Sequence, residues 1–166
     1  MTKLRSALGA ADRALAALLK WVTIGLFAAL TLILTANIVV RFVPILSLHW
    51  LDEIVELCFS ALVFYGAAAV WMEKGHFSAG DWVERRITGP RAKRAYRLAL
   101  ELASLAFVLV LLKFSVQLTA RSREATAVFQ IPKAALYACM PISAAIMAAY
   151  SIARAIGEII GLCKGE

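Results

Sequence analysis

Apolar residues fill four long blocks of this chain, roughly 21–40, 54–72, 98–119 and 134–156, and charged residues gather in the short stretches between them. A helix that crosses a hydrocarbon core about 30 Å thick needs about 20 mostly apolar residues. Each block therefore predicts one membrane-spanning helix. The first block carries no charge on any face, whereas a helix on the surface of a water-soluble bundle keeps a polar face outward. The pattern predicts an all-α integral membrane protein with a single four-helix transmembrane domain over 1–166, its helices near 18–43, 50–73, 96–120 and 132–160.

Local signals refine this outline. Leu4, Ala7, Leu8, Ala11, Leu15, Leu18 and Leu19 recur at helical spacing, with Lys3, Arg5, Asp12 and Arg13 elsewhere. They predict a short amphipathic N-terminal helix that lies on the membrane surface and runs into the first span. The basic start has no small-residue cleavage site behind it, so the first span is read as a retained helix and not as a signal peptide. Pro44 ends that span, because proline disfavours helical geometry in the residue before it. Pro132 suits the first position of the fourth helix. Pro141 lies inside that helix, removes the donor that the Tyr137 carbonyl would use, and predicts a kink. Ala134/Ala138, Ala144/Ala148, Ala145/Ala149 and Gly157/Gly161 repeat at four-residue spacing, which allows close helix contacts in lipid.

The second helix is informative for its charges. Its uncharged run, 57–72, spans only about 24 Å at 1.5 Å per residue, less than the hydrocarbon thickness. Completing the span draws Glu56 and Glu53, which share a helix face, into the outer part of the membrane, at the depth of Arg41. In the third helix, Glu101 and Lys113 must both lie within the span, snorkelling or facing protein.

The chain is 62% hydrophobic and 17% charged, with a net charge of +7. Such basicity can signal nucleic acid, but here the lysines and arginines sit at the ends of apolar blocks, as membrane topology requires. No nucleic-acid partner is expected. Basic residues are richest before the first span and in the connection between the second and third; the connection after the first span has only Arg41, that after the third has Arg121, Arg123 and Lys133, and the C-terminal end has Arg154 and Lys164. Both termini are therefore expected to be cytoplasmic. Trp21, Trp50, Trp71 and Trp82 fall near helix ends, as in an interfacial aromatic belt.

Reactive chemistry is scarce. His49 and His76 are separated by the second helix, about 40 Å at 1.5 Å per residue, too far to grip one haem. Cys58, Cys139 and Cys163 have neither disulfide nor zinc spacing. No nucleophile–base set or phosphate-binding loop is visible, so no enzyme activity, metal or cofactor is expected. Asp52, Glu53 and Glu56 form the one acidic cluster. It reads as a structural ion pair of Arg41 with Glu53 or Glu56 that joins the first two helices, with an ion or proton site as the alternative.

The order of several short motifs adds a further reading. Asn37-x3-Arg41-Phe42, Trp50-x-Asp52-Glu53, Phe64-Tyr65-Gly66-Ala67-Ala68, Glu73-x-Gly75-His76 and Thr126-x4-Ile131-Pro132-x4-Tyr137-x3-Pro141 together resemble the small membrane subunit of TRAP (tripartite ATP-independent periplasmic) transporters, the DctQ-like family. The resemblance runs from about 30 to 150. It departs at Gly80, where the family usually has an acid; Asp81 follows one residue later, and no role is carried over to it.

The resemblance implies a small, non-catalytic subunit in the bacterial cytoplasmic (inner) membrane. It would scaffold a large multi-helix permease subunit in sodium-driven uptake of a small organic acid delivered by a periplasmic substrate-binding protein. Asn37, Trp50, Gly66, His76, Pro132 and Pro141 become candidate partner-interface residues. The competing class is a self-sufficient, homo-oligomeric, proton-coupled exporter using Glu53 or Glu56.

Overall fold

A computed structural model describes residues 2–42, 50–73, 86–87 and 89–164. Five helices account for nearly all of them: α1 (Thr2–Arg41), α2 (Trp50–Met72), α3 (Pro90–Arg121), α4 (Lys133–Tyr137) and α5 (Cys139–Lys164). Four spans are long and apolar enough to cross a membrane: Asp12–Val40, Trp50–Met72, Ala92–Arg121, and Lys133–Gly161, which takes in α4 and most of α5. The described residues contain no strand, only an isolated bridge between Ala125 and Pro132.

The amphipathic start and the first span form one unbroken helix. At 40 residues, α1 is about 60 Å long, roughly twice the hydrocarbon thickness. α3 begins at Pro90, earlier than its apolar block requires. Gly89 turns the chain at φ 110°, and the proline sits in the first turn, where its missing N–H has no partner to lose. The basic turn that follows is helical but lies outside the apolar block.

The fourth span divides at Ala138, whose backbone stays in the right-handed helical region. The division falls where Pro141 lacks the N–H that would bond the Tyr137 carbonyl. The Thr119 hydroxyl of α3 donates to the Ser115 carbonyl at 2.9 Å and lies 3.4 Å from the Tyr137 carbonyl, a longer, shared contact.

Backbone neighbours follow the order α1–α2–α5–α3. Among the described residues, α1 approaches only α2 closely, and α2 does not reach α3. The bundle is an open row whose outer members are α1 and α3. Side chains still meet across it: Leu19, Ala68, Trp71, Val108, Met147 and Ala148 form a common core. That core needs small residues, because lipid offers no hydrophobic drive between helices and association rests on close packing. Ser143, Ala144, Ala148, Ser151 and Ala155 give α5 its buried face. A Cβ on Gly66 would touch the Thr23 methyl at 3.4 Å, so α1 and α2 approach closely here. The end of the Arg94 side chain lies against Gly161, and a Cβ there would make it shift.

The small-residue pairs of α5 thus have different destinations. Ala144 and Ala148 are buried within the chain, whereas Ala145 and Ala149 are exposed. Ala144→Leu is expected to overpack the α5 face and destabilise the purified chain by about 1–3 kcal/mol, seen as a lower thermal midpoint in detergent. Ala145→Leu is expected to leave the midpoint unchanged; equal shifts would contradict this assignment of faces.

Candidate functional site

Most of the side-chain hydrogen bonds that link separate elements of the described bundle lie at the two ends of α2. At its start, Glu53 reaches the connection between α3 and α4. Val128 N–H donates to Glu53 Oε1 at 2.6 Å, and Phe129 N–H donates to Oε2 at 3.1 Å. Two successive amides aimed at one anion form a nest, a concavity of oriented N–H groups. Trp50, one turn earlier on the same helix, packs its ring edge-to-face against Phe129, with centroids 6.3 Å apart. The first turn of α2 therefore holds the tip of the connection by charge and by an aromatic contact.

The connection is shaped to present those amides. Thr126 N–H donates to the Ile131 carbonyl at 2.9 Å, and Ile131 N–H donates back to the Thr126 hydroxyl at 3.1 Å. Lys133 N–H donates to the Glu124 carbonyl at 2.8 Å. Gln130, at φ 53°, reverses the chain at the tip. The Lys133 ammonium lies 2.7 Å from the Glu124 carboxylate, and this hydrogen bond and charge hold the Glu124 carboxyl below the usual carboxylate range. A depressed carboxylate stabilises the fold above its unfolded pKa of about 4.3 and loses that effect as pH falls through the folded value. The pair is exposed and therefore weak, but its sign is clear: it is intact at neutral pH and lost in acid.

At the far end of α2 the partner is α5. The last carbonyls of a helix have no donor within it. Arg154 Nη2 donates to the Trp71 and Met72 carbonyls at 2.6 and 3.0 Å, and its positive charge suits the negative end of the helix dipole. Trp71 Nε1 donates to the buried Ser151 hydroxyl at 3.0 Å. The Tyr150 hydroxyl donates to Asp12 of α1. Interhelical hydrogen bonds in membrane bundles average about 0.6 kcal/mol, whereas bonds from a charged donor contribute about 1.5–3 kcal/mol. Arg154 is accordingly the strongest single link between α2 and α5.

These two ends bring together some of the residues singled out from sequence. Glu53 and Trp50 lie on the connection that Pro132 closes, and Glu56 is exposed near Lys133. Gly66 lies between α1 and α2, and Pro141 lies in the first turn of α5. Asn37 is partly exposed in α1. The Arg41 side chain and His76 lie outside the described residues, so the geometry of an Arg41 ion pair does too. The loop amides on Glu53 were not foreseen, because which N–H groups a turn exposes is set by its backbone geometry. Arg154 was missed too, although Tyr150, Ser151 and Arg154 share a helix face at spacings of three and four. Among the described residues, no three histidine, cysteine or carboxylate side chains cluster to hold a metal.

Four apolar spans whose polar groups bond helix to helix, and helix to connection, define a multi-pass membrane protein. Residues 30–161 match the family described as tripartite ATP-independent periplasmic transporters, DctQ component. That match covers most of the chain, and the chain belongs to this family of transporter components. Comparison with curated proteins gives no match.

Both ends of α2 are open to test. Arg154→Met is expected to cost the purified chain about 1.5–3 kcal/mol, and Trp71→Phe about 0.6 kcal/mol, in detergent unfolding. A larger effect from the tryptophan would reverse the ranking. Glu53→Ala is expected to speed hydrogen exchange at Val128 and Phe129 selectively; unchanged exchange there would show that the carboxylate does not hold the connection.

Proposed function

We propose that this chain is the small, non-catalytic membrane subunit of a TRAP-type secondary transporter. It scaffolds a large permease subunit that carries out sodium-driven uptake of a small organic acid delivered by a periplasmic binding protein. It would lie in the bacterial cytoplasmic membrane with both termini inside, which puts the connection held by Glu53 on the periplasmic side. Family membership supplies the transporter context. The observation that favours a scaffolding role is the open row α1–α2–α5–α3. Such a row leaves broad apolar faces on α1 and α3, including Phe27, Leu32, Phe107 and Phe114, for a larger membrane neighbour and for lipid.

The polar residues fit the same reading. A self-sufficient exporter would need Glu53 or Glu56 available to carry a proton near the middle of the membrane. Glu53 instead accepts two backbone hydrogen bonds in the first turn of α2, and Glu56 follows only one turn later.

The test is reconstitution. A tagged copy of this chain is expected to co-purify with a large multi-span subunit. Proteoliposomes are expected to take up an organic acid only when both subunits, the binding protein and a sodium gradient are present. Arg41→Ala is expected to lower assembly or uptake without altering which acid is taken up. Solute movement by vesicles that hold this chain alone would overturn the reading, and a changed substrate profile in Arg41→Ala would overturn the structural role of that residue.

A further inference from the structure

α3 carries one cation deep in its apolar block. Lys113 is twelve residues from Glu101 and eight from Arg121, about 18 Å and 12 Å along the helix. It is exposed, on an outer member of the row, and turned away from Val108, which faces the core. Its ammonium lies 6.0 Å from the Phe114 ring, and among the described residues it has no hydrogen-bond or ion-pair partner.

Gln117 and Arg121 follow at spacings of four, also exposed, so the three make one polar stripe on this face. Gln117 and Arg121 line an open groove together with Phe114, Leu118 and Met140.

We infer that this stripe, centred on Lys113, docks against the large permease subunit, on a spanning helix that brings a carboxylate to the depth of Lys113. The inference rests on reading the chain as a subunit beside such a permease.

Three considerations lead there. An ammonium at this depth is costly in hydrocarbon and is found facing protein or water. A lysine stem reaches about 6 Å at bond lengths of about 1.5 Å, against about 9 Å from Lys113 to the end of the apolar block at residue 119, so snorkelling brings the ammonium toward the edge of the block and leaves it below. A second copy docking through this face about a two-fold axis would set like charges against each other, since such an interface pairs the same patch with itself. A partner carboxylate meets the charge, Gln117 supplies donor and acceptor, and the groove beside it accepts apolar side chains.

The experiment places a photo-cross-linking amino acid at Gln117 and, separately, at Ala145 on the exposed face of α5, in the complete transporter in native membranes. Gln117 is expected to cross-link to the large subunit. Lys113→Leu and Lys113→Glu are expected to lower the co-purified large subunit at least tenfold, and Lys113→Arg to retain it. The thermal midpoint of the isolated chain is expected to stay unchanged in Lys113→Leu, since the residue is exposed. Cross-linking at Gln117 to a second copy of this chain, or to lipid alone, would overturn the inference, as would full recovery of the large subunit with Lys113→Leu. Cross-linking of the large subunit at Ala145 and not at Gln117 would overturn this docking face while leaving the subunit reading intact. A large subunit that neither cross-links nor co-purifies would overturn both.

Discussion

A helix that stops at the edge of a hydrocarbon layer leaves carbonyls that lipid cannot bond. At the end of α2 this deficit is met by one side chain, Arg154, reaching from α5 to two of those carbonyls. The rest of the bundle depends on the contact it secures. Among the described residues, α1 has a close backbone neighbour only in α2, and α3 has none in α2, so α5, with the short α4, carries the backbone contacts between the two halves of the row. Ala68, Met147 and Ala148 pack together in the common core, and small side chains at this crossing let the two backbones approach. The cap and the close packing reinforce each other: a wider crossing would move Arg154 out of reach, and an uncapped α2 would fray at the level where Trp71 meets Ser151.

The other end of α2 repeats the device with opposite charge. A carboxylate in its first turn faces the positive end of the helix dipole and two amides of the neighbouring connection. Each terminus of α2 is thus held by a group whose charge complements its dipole, one donated by α5 and one directed at the connection leading into it. A helix fixed at both ends resists sliding and rotation. That rigidity suits the proposed supporting role beside a larger permease subunit.

Much of this architecture is legible in the amino-acid sequence because lipid enforces it. Four apolar blocks have few alternatives to four spanning helices, and Pro141 interrupts a helix through covalent chemistry that holds in any surroundings. The motif order that ends at Thr126, Ile131 and Pro132 carried the family resemblance. The detail of the ends was not legible. Depth along the helices pairs Arg41 with Glu53 or Glu56, and the Arg41 side chain lies outside the described residues; the amides that the connection offers to Glu53 are backbone donors, which leave no trace in residue identity. Arg154 looked like one more basic residue at a helix end until α2 and α5 were placed side by side. The split among small-residue pairs, Ala144 inward and Ala145 outward, likewise depends on which neighbour each face meets.

The row α1–α2–α5–α3 does not follow the order in which the ribosome makes the helices. α1 and α2 can pair as soon as both have entered the membrane, but α3 arrives with no neighbour among them and waits in lipid until the last span is complete. The arrangement is that of a wedge: α5 sits between α2 and α3, so a chain shortened before it would lack the helix that lies between the α1–α2 hairpin and α3. The fourth span is the keystone of the row, although it follows the other three in the chain.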